Sequence, residues 1–116
     1  MLFKSVDDFL NEKHHLSPFL KQEEVAAARA LFLGSEAEKA TLYGRYLAFV
    51  RIKFSRLPKN LQTLELVYRC QSELTHAMEG FDFEGSKSPF SRILSLRLNK
   101  LFTEYLAELP SLLPQK

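Results

Sequence analysis

The stretch Ser35–Leu57, SEAEKATLYGRYLAFVRIKFSRL, decides the fold because it predicts one long helix with apolar side chains on two sides. One stripe recurs at alternating spacings of three and four residues, as on one side of a helix. It comprises Ala40, Tyr43, Leu47, Val50, Phe54 and Leu57. A second side carries Leu42, Phe49 and Ile52, interleaved with Arg45 and Arg56. We expect such a helix to contact two sets of neighbours within the fold, or one set and a partner.

Local signals bound this central helix. Ser35 and Glu38 have the spacing of a capping box, in which each residue's side chain bonds the other's backbone N–H. Gly34 predicts a left-handed stop for the preceding helix, and Pro58 ends the central one. Gly44 costs about 1 kcal/mol relative to alanine inside a helix. We therefore expect another helix to approach closely at Gly44.

Shorter periodic runs predict further helices on both sides. Their expected positions are a short helix after Ser5, a second from Ser17-Pro18 to about Leu33, a fourth over about Leu61–Glu79, and a last one from Pro89 to Leu109, ended by Pro110. The sequence therefore predicts an all-α fold, a four-helix-type bundle with a short N-terminal helix as a lid and a long central helix over about Glu36–Leu57. We expect residues 1–116 to form a single domain, with a flexible tail at 111–116.

Composition favours an ordinary globular protein, with 46% apolar and 26% charged residues and a net charge of +2. The charge is uneven: residues 1–38 carry four basic and seven acidic side chains, a balance of −3, and residues 39–116 carry twelve and seven, a balance of +5. Cys70 is the single cysteine, which excludes an internal disulfide and a zinc site built on cysteines. With Asp7 and Asp8 where a signal peptide needs apolar residues, and with no membrane span, we expect a cytoplasmic protein.

Side chains with catalytic or metal-binding chemistry are scattered. No nucleophile and base stand in a recognisable set, and no glycine-rich phosphate loop occurs, so we expect no enzymatic activity and no cofactor. His14 and His15 point about 100° apart on a helix and cannot readily share a metal ion. Glu12 and His76 could join them only through the fold, so no metal site is predicted.

The five residues His76-Ala77-Met78-Glu79-Gly80 resemble the phospho-accepting segment of histidine phosphotransfer domains. Those domains are helical bundles of similar size, with an exposed histidine followed four residues later by glycine. The resemblance implies His76 as a phospho-acceptor. In that family a lysine usually precedes the glycine, whereas Glu79 stands here, so phosphotransfer is the third hypothesis.

Basic side chains cluster in two stretches without acids. Residues 39–64 contain six of them, and residues 87–103 contain Lys87, Arg92, Arg97 and Lys100. Facing one way, they would form a basic surface for nucleic acid. The alternative function is therefore a nucleic-acid-binding regulator that uses Arg45, Lys53, Arg56, Arg92 and Lys100. Solvated faces and charges matched to helix dipoles explain the same pattern.

The leading hypothesis is a non-enzymatic protein–protein interaction module: an adaptor, a regulator or a dedicated chaperone. Arg45, Phe49, Ile52 and Arg56 share one side of the central helix, and interfaces favour arginine and aromatic residues. Phe49→Asp is expected to leave the fold intact and to abolish a complex. Packing of Phe49 and Ile52 under the first helix or the tail explains the pattern equally well, and self-association could bury the same side.

The polar interruption over residues 81–87, FDFEGSK, carries two phenylalanines. Exposed together, Phe81 and Phe83 would form a second docking site. The other interpretation is that one or both of them pack into the bundle. The predicted partner-binding residues are therefore Arg45, Phe49, Ile52, Arg56, Phe81 and Phe83, with the identity of the partner left open.

Overall fold

The computed structural model describes residues 3–12 and 16–112, with side chains as far as Glu108. Five α-helices lie along this part of the chain: α1 (Val6–Leu10), α2 (Glu24–Phe32), α3 (Glu36–Ser55), α4 (Leu64–Gly80) and α5 (Phe90–Leu112). A 3-10 turn, Lys59–Leu61, connects α3 to α4, and the described residues contain no strand. The all-α prediction is confirmed, and the helices pack as a bundle.

The N-terminus of α3 forms as its sequence predicts. Ser35 Oγ accepts the Glu38 N–H at 3.2 Å, and the Glu38 carboxylate accepts the Ser35 N–H at 3.1 Å. The predicted left-handed stop at Gly34 is wrong, because none of the four glycines has a positive φ. A Cβ at Gly34 would lie 2.5 Å from the Glu38 carboxyl carbon, so the missing side chain leaves room for the capping carboxylate.

Helix α3 buries side chains on two sides, because α2 and α4 both pack against it. Of the predicted stripe, Leu47, Val50 and Phe54 are buried, whereas Ala40 is exposed. The helix ends at Ser55, two residues before the predicted end. Polar contacts beyond it tie the connection before α4 back to the end of α3, since the Gln62 side-chain amide donates to the carbonyls of Leu57 at 2.8 Å and Ser55 at 3.3 Å.

Helix α2 begins at Glu24, and the prediction of a start at Ser17-Pro18 is wrong. The Arg45 guanidinium accounts for the difference. It donates to the carbonyls of Ser17 at 3.1 Å and Pro18 at 3.4 Å, and it pairs with Glu23 at 3.1 Å. These tertiary bonds hold the backbone groups that would otherwise have opened a helix at Pro18.

The same segment explains Gly44. A Cβ at Gly44 would lie 2.9 Å from Leu16 Cδ1, so the glycine does mark a close approach. The predicted neighbour was a helix, and the observed neighbour is the irregular chain segment before α2. The segment then returns to α3 through Phe19, whose ring packs at 5.0 Å from the ring of Tyr46.

Helix α4 begins at Leu64, later than predicted, because Thr63 provides its cap by accepting the Leu66 N–H at 3.2 Å. Helix α5 runs to Leu112, so the prediction that Pro110 ends it is wrong. A proline so close to the end of a helix removes one backbone donor where few bonds remain to be made. Of the predicted flexible tail, residues 111–112 are helical, and 113–116 lie outside the described residues.

Phenylalanine rings pack the segment between α4 and α5 into the bundle. Phe83 is 3% exposed, and its ring lies 5.0 Å from that of Phe32 and 5.3 Å from that of Phe90. Phe81 is half-buried, with its ring 4.8 Å from Phe83. Arg29 fastens this segment by donating to the backbone carbonyl of Phe83 at 3.3 Å. The prediction of a docking site on Phe81 and Phe83 is therefore wrong for Phe83, which is in the core.

Helix α1 is part of the core. Its Phe9 is fully buried, and the Phe9 ring packs edge-on against Phe54 at 5.3 Å. Arg51 of α3 is 8% exposed and donates from Nε to the Phe9 carbonyl at 2.7 Å. Burial lowers the pKa of this guanidinium. Ser5 caps the helix as predicted by accepting the Asp8 N–H at 3.0 Å.

Candidate functional site

A groove runs between the second half of α3 and the first half of α5. Helix α2 has nine residues and α3 has twenty, so α2 covers only part of α3. Beyond that cover, a cleft of about 840 Å³ opens toward α5. We call it the α3–α5 groove, and the lining side chains that concern its chemistry are Lys21, Glu24, Phe49, Lys53, Arg56, Ser91, Arg92 and Leu96. Two smaller depressions share its lining residues and extend it at both ends, toward Phe19 and toward Phe102.

Four cations surround this groove: Lys21 precedes α2, Lys53 and Arg56 are on α3, and Arg92 is on α5. Lys21, Arg56 and Arg92 are exposed, and Lys53 lies 5.7 Å above the centre of the Phe49 ring. Within the described part of the chain, none of the four forms an ion pair. The walls therefore carry positive charge that this fold leaves available to a ligand.

Apolar side chains lie between these cations. Phe49 is half-buried and forms part of the floor. Leu96 of α5 is 67% exposed, the largest exposure among the large apolar side chains that the structure describes, and Ile52 at the end near Phe19 is 40% exposed. An exposed leucine alone is ordinary, but phenylalanine and arginine together are typical of interface centres, and Leu96 adds exposed apolar area beside them.

Glu24 is the acidic residue that lines the groove, and its carboxylate already has hydrogen-bond partners within the fold. Glu24 is 4% exposed, and its carboxylate accepts the Tyr46 hydroxyl at 2.7 Å, the Ser91 N–H at 2.8 Å and the Ser91 hydroxyl at 2.6 Å. Ser91 is in the first turn of α5, where the helix dipole also favours a negative charge. Burial, together with the bond to Glu24 and its negative charge, raises the pKa of Tyr46. Glu24 thus joins α2, α3 and α5 beneath the groove.

Some of the predicted partner-binding residues lie at this groove. Phe49 and Arg56 line it, and Ile52 lies at its end. Arg45 borders the same end, but its guanidinium is engaged by Glu23 and by the segment before α2, and it lies 4.1 Å above the Phe19 ring. Its contacts show it holding that segment in place.

The residues of the nucleic-acid alternative divide between two places. Lys53, Arg56 and Arg92 converge on the groove from α3 and α5. Lys100 lines a separate depression of about 340 Å³ with Arg97, Glu73 and Glu104. Arg97 there donates to Glu73 at 2.6 Å, so acids balance that second basic site.

The remaining chemistry-bearing residues stay apart from the groove. His76 is exposed on α4, as a phospho-acceptor would be, and its role stays a prediction. Cys70 is buried, and burial raises the pKa of its thiol to about 12. His14 and His15 lie outside the described residues. Among the described residues, no three His, Cys, Asp or Glu side chains are grouped as a metal site requires.

A second cleft, of about 280 Å³, lies at the other end of α3. It is lined by Phe32, Leu42, Tyr43, Met78 and Phe83, with Lys39 and Glu79 of opposite charge also on its lining. Burial raises the pKa of Tyr43. With one cation and one anion, this cleft lacks the single-signed charge of the α3–α5 groove.

Sequence reasoning missed Lys21, Glu24 and Leu96. Glu24 resembles the solvated acid that often begins a helix, and its burial depends on residues 22 and 67 positions away. Leu96 lies outside the apolar stripe of α5, and that departure was a readable signal of an extra apolar position. Lys21 was assigned to the interior of a helix that does not extend so far.

Comparison with other proteins adds no named relative. No protein-family model, curated protein or solved structure matches this chain. None of the helices within residues 3–12 and 16–112 is long and apolar enough to cross a membrane. The α3–α5 groove is therefore the feature on which a functional proposal rests.

Proposed function

We propose that the protein is a non-enzymatic binding module that holds a segment of another protein in the α3–α5 groove. The observation that carries the proposal is the pairing of an apolar floor with four cations that make no ion pair among the described residues. A core-facing groove would be filled by side chains of its own fold, and a merely solvated one would not gather Phe49 and Leu96. An adaptor, a regulator or a dedicated chaperone would each use such a surface, and its compartment in this proposal is the cytoplasm.

Leu96→Asp tests this proposal, with Leu106→Asp as the matched control. Both leucines are exposed on α5, at 67% and 52%, and Leu106 does not line the groove. Tagged forms of the wild type and of both variants are recovered from the cells that make the protein, with and without nuclease. Circular dichroism first establishes that all three are equally helical.

We expect one protein to be recovered in near-equal amount with the wild type and with Leu106→Asp, to resist nuclease and to be lost with Leu96→Asp. Retention of that partner by Leu96→Asp would contradict a role for the groove. Recovery of no stoichiometric protein with the wild type would contradict the binding module itself.

Nucleic acid is the second candidate ligand, favoured by the convergence of Lys53, Arg56 and Arg92. A groove binding phosphates through these cations would lose affinity steeply as salt rises, by counterion release. In the same recovery experiment, associated nucleic acid and protein partners lost on nuclease treatment would establish this alternative. The apolar floor favours a protein segment, because phosphate contacts need no leucine.

A further inference from the structure

The length of the α3–α5 groove restricts what can occupy it. Along α5, its lining and that of its extension run from Pro89 to Phe102. At 1.5 Å per residue this span is about 20 Å. A straight helix of about 13 residues, between three and four turns, has the same length.

The walls of the groove also restrict the occupant's backbone. Both long walls are helices, whose backbone groups bond within themselves, and the described residues offer no strand edge with which an extended peptide could pair. A segment lying in the groove finds no strand edge to pair with, and a helix is the conformation that satisfies its backbone groups without one. Helix-in-groove recognition is the mode that this geometry serves.

Charge decides which helix fits. Cations approach from both sides of the apolar floor, Lys53 and Arg56 on α3 and Arg92 on α5. The carboxylate of Glu24 is already bonded to Tyr46 and Ser91. A lysine-rich helix would meet like charge on both walls, whereas a helix with acids flanking an apolar stripe would meet opposite charge.

The geometry points to an acidic amphipathic helix of three to four turns, carried by another protein, as the occupant of the α3–α5 groove. Its apolar stripe packs on Phe49 and Leu96, and its carboxylates lie opposite Lys53, Arg56 and Arg92. This inference rests on the proposed binding function and specifies the class of its partner.

The test uses three labelled 14-residue peptides and the full chain. The first has leucines at i, i+3, i+4 and i+7 with glutamates on both flanks. The second replaces every glutamate by lysine, and the third keeps the acidic composition with two central prolines that prevent a helix. Dissociation constants are measured by fluorescence anisotropy at low and moderate salt.

We expect the acidic helix to bind at least tenfold more tightly than either control peptide. Lys53→Glu with Arg56→Glu should weaken it at least tenfold, because both charges on one wall are reversed. Lys39→Glu with Lys100→Glu makes the same change in net charge outside the groove and should change the dissociation constant less than twofold. Equal binding of the proline peptide, or indifference to reversal at Lys53 and Arg56, would overturn the inference.

Other occupants give their own results. Tighter binding of a 14-nucleotide single strand than of the acidic helix, lost in the Lys53/Arg56 double variant, would replace the helix by nucleic acid. A dimer in sedimentation that Leu96→Asp dissociates would replace it by a second copy of this chain. If no peptide binds while a nuclease-resistant partner is still lost with Leu96→Asp, the proposed function stands and the acidic helix is wrong.

Discussion

Tyr46 and Phe49 are three residues apart on α3, yet one is in the core and the other in the floor of a groove. Tyr46 is 1% exposed and is covered by Phe19, Phe90 and the carboxylate of Glu24. Phe49 is half-buried, beneath the ammonium group of Lys53. The two regions differ because α2 packs on α3 and begins at Glu24, near Tyr46. Among the described residues, no helix covers α3 in the same way alongside Phe49.

The arginines of α3 repeat this contrast. Arg45 has two backbone carbonyls and a carboxylate as partners, and Arg51 is buried under α1. Arg56 lines the groove and forms no ion pair within the described chain. An arginine beside an apolar residue can thus stabilise the fold or remain accessible to a ligand. On α3 the difference depends on how far the neighbouring element, α2 with the segment before it, extends along the helix.

The largest effect is expected at the covered position. Tyr46→Ala should lower the free energy of unfolding by about 3–5 kcal/mol, since it removes a buried aromatic ring and leaves a cavity. Urea denaturation measures it, with Tyr46→Phe as the control that removes only the hydroxyl and costs about 1–2 kcal/mol. A loss below 1 kcal/mol for Tyr46→Ala would mean that the two regions do not differ as described.

Glu24→Gln should lower the free energy of unfolding by about 1–3 kcal/mol, because an amide cannot accept both Ser91 donors and the Tyr46 hydroxyl as the carboxylate does. Glu23→Gln is the matched control, one residue earlier. Its pair with Arg45 is partly exposed, so we expect about 0–1 kcal/mol. Equal losses for the two variants would remove Glu24 as the link beneath the groove.

Alkaline pH should destabilise the core through the buried thiol of Cys70. The pKa of Cys70 is about 9 when unfolded and about 12 when folded. Its contribution is therefore fully present below pH 9 and is lost as pH rises from 9 to 12, with a slope of at most about 1.4 kcal/mol per pH unit. The urea midpoint of the wild type should fall more steeply over this range than that of Cys70→Ala, and parallel slopes would contradict the shift.

The smallest effect on stability is expected at the groove. Phe49→Asp should cost less than about 2 kcal/mol, since its ring is only partly buried, and should keep the helical circular dichroism spectrum intact. The same variant should prevent recovery of the partner. Cooperative unfolding of Phe49→Asp at room temperature would instead place Phe49 among the core residues and cancel the comparison with Tyr46.

Signals that act over a few residues were readable from the sequence. The caps at Ser5 and Ser35, the all-α class and the extent of the central helix to within two residues all follow from local bonds between neighbours. The start of α2 could not be read in this way. Its Ser17-Pro18 signal is real in isolation, and Arg45, 27 and 28 residues further along, takes the carbonyls of both residues.

Only the part of the candidate site that depends on neighbours along one helix could be predicted from the sequence. Phe49 and Arg56 are neighbours on one helix, so their spacing brought them together. Arg92 and Leu96 join them only because α5 packs across α3, and Lys21 joins them only because α2 begins late. The polar segment around Phe83 suggested an exposed ring that a partner could contact. In the structure, the rings of Phe32 on α2 and Phe90 on α5 pack against it.

The bonds around Glu24 also bear on the order in which the chain folds. Glu24 meets Ser91 across 67 residues, and Arg29 meets the carbonyl of Ser86 across 57, so both contacts close long loops. Helices α3 and α4 are joined by a short turn and can pair before those loops close. Helix α2 is also joined to α3 by a short connection and packs on it. The contacts between α2 and residues 86–91 should therefore form last and open first, so we expect the amide hydrogens of residues 86–91 to exchange with solvent while α3 and α4 stay paired.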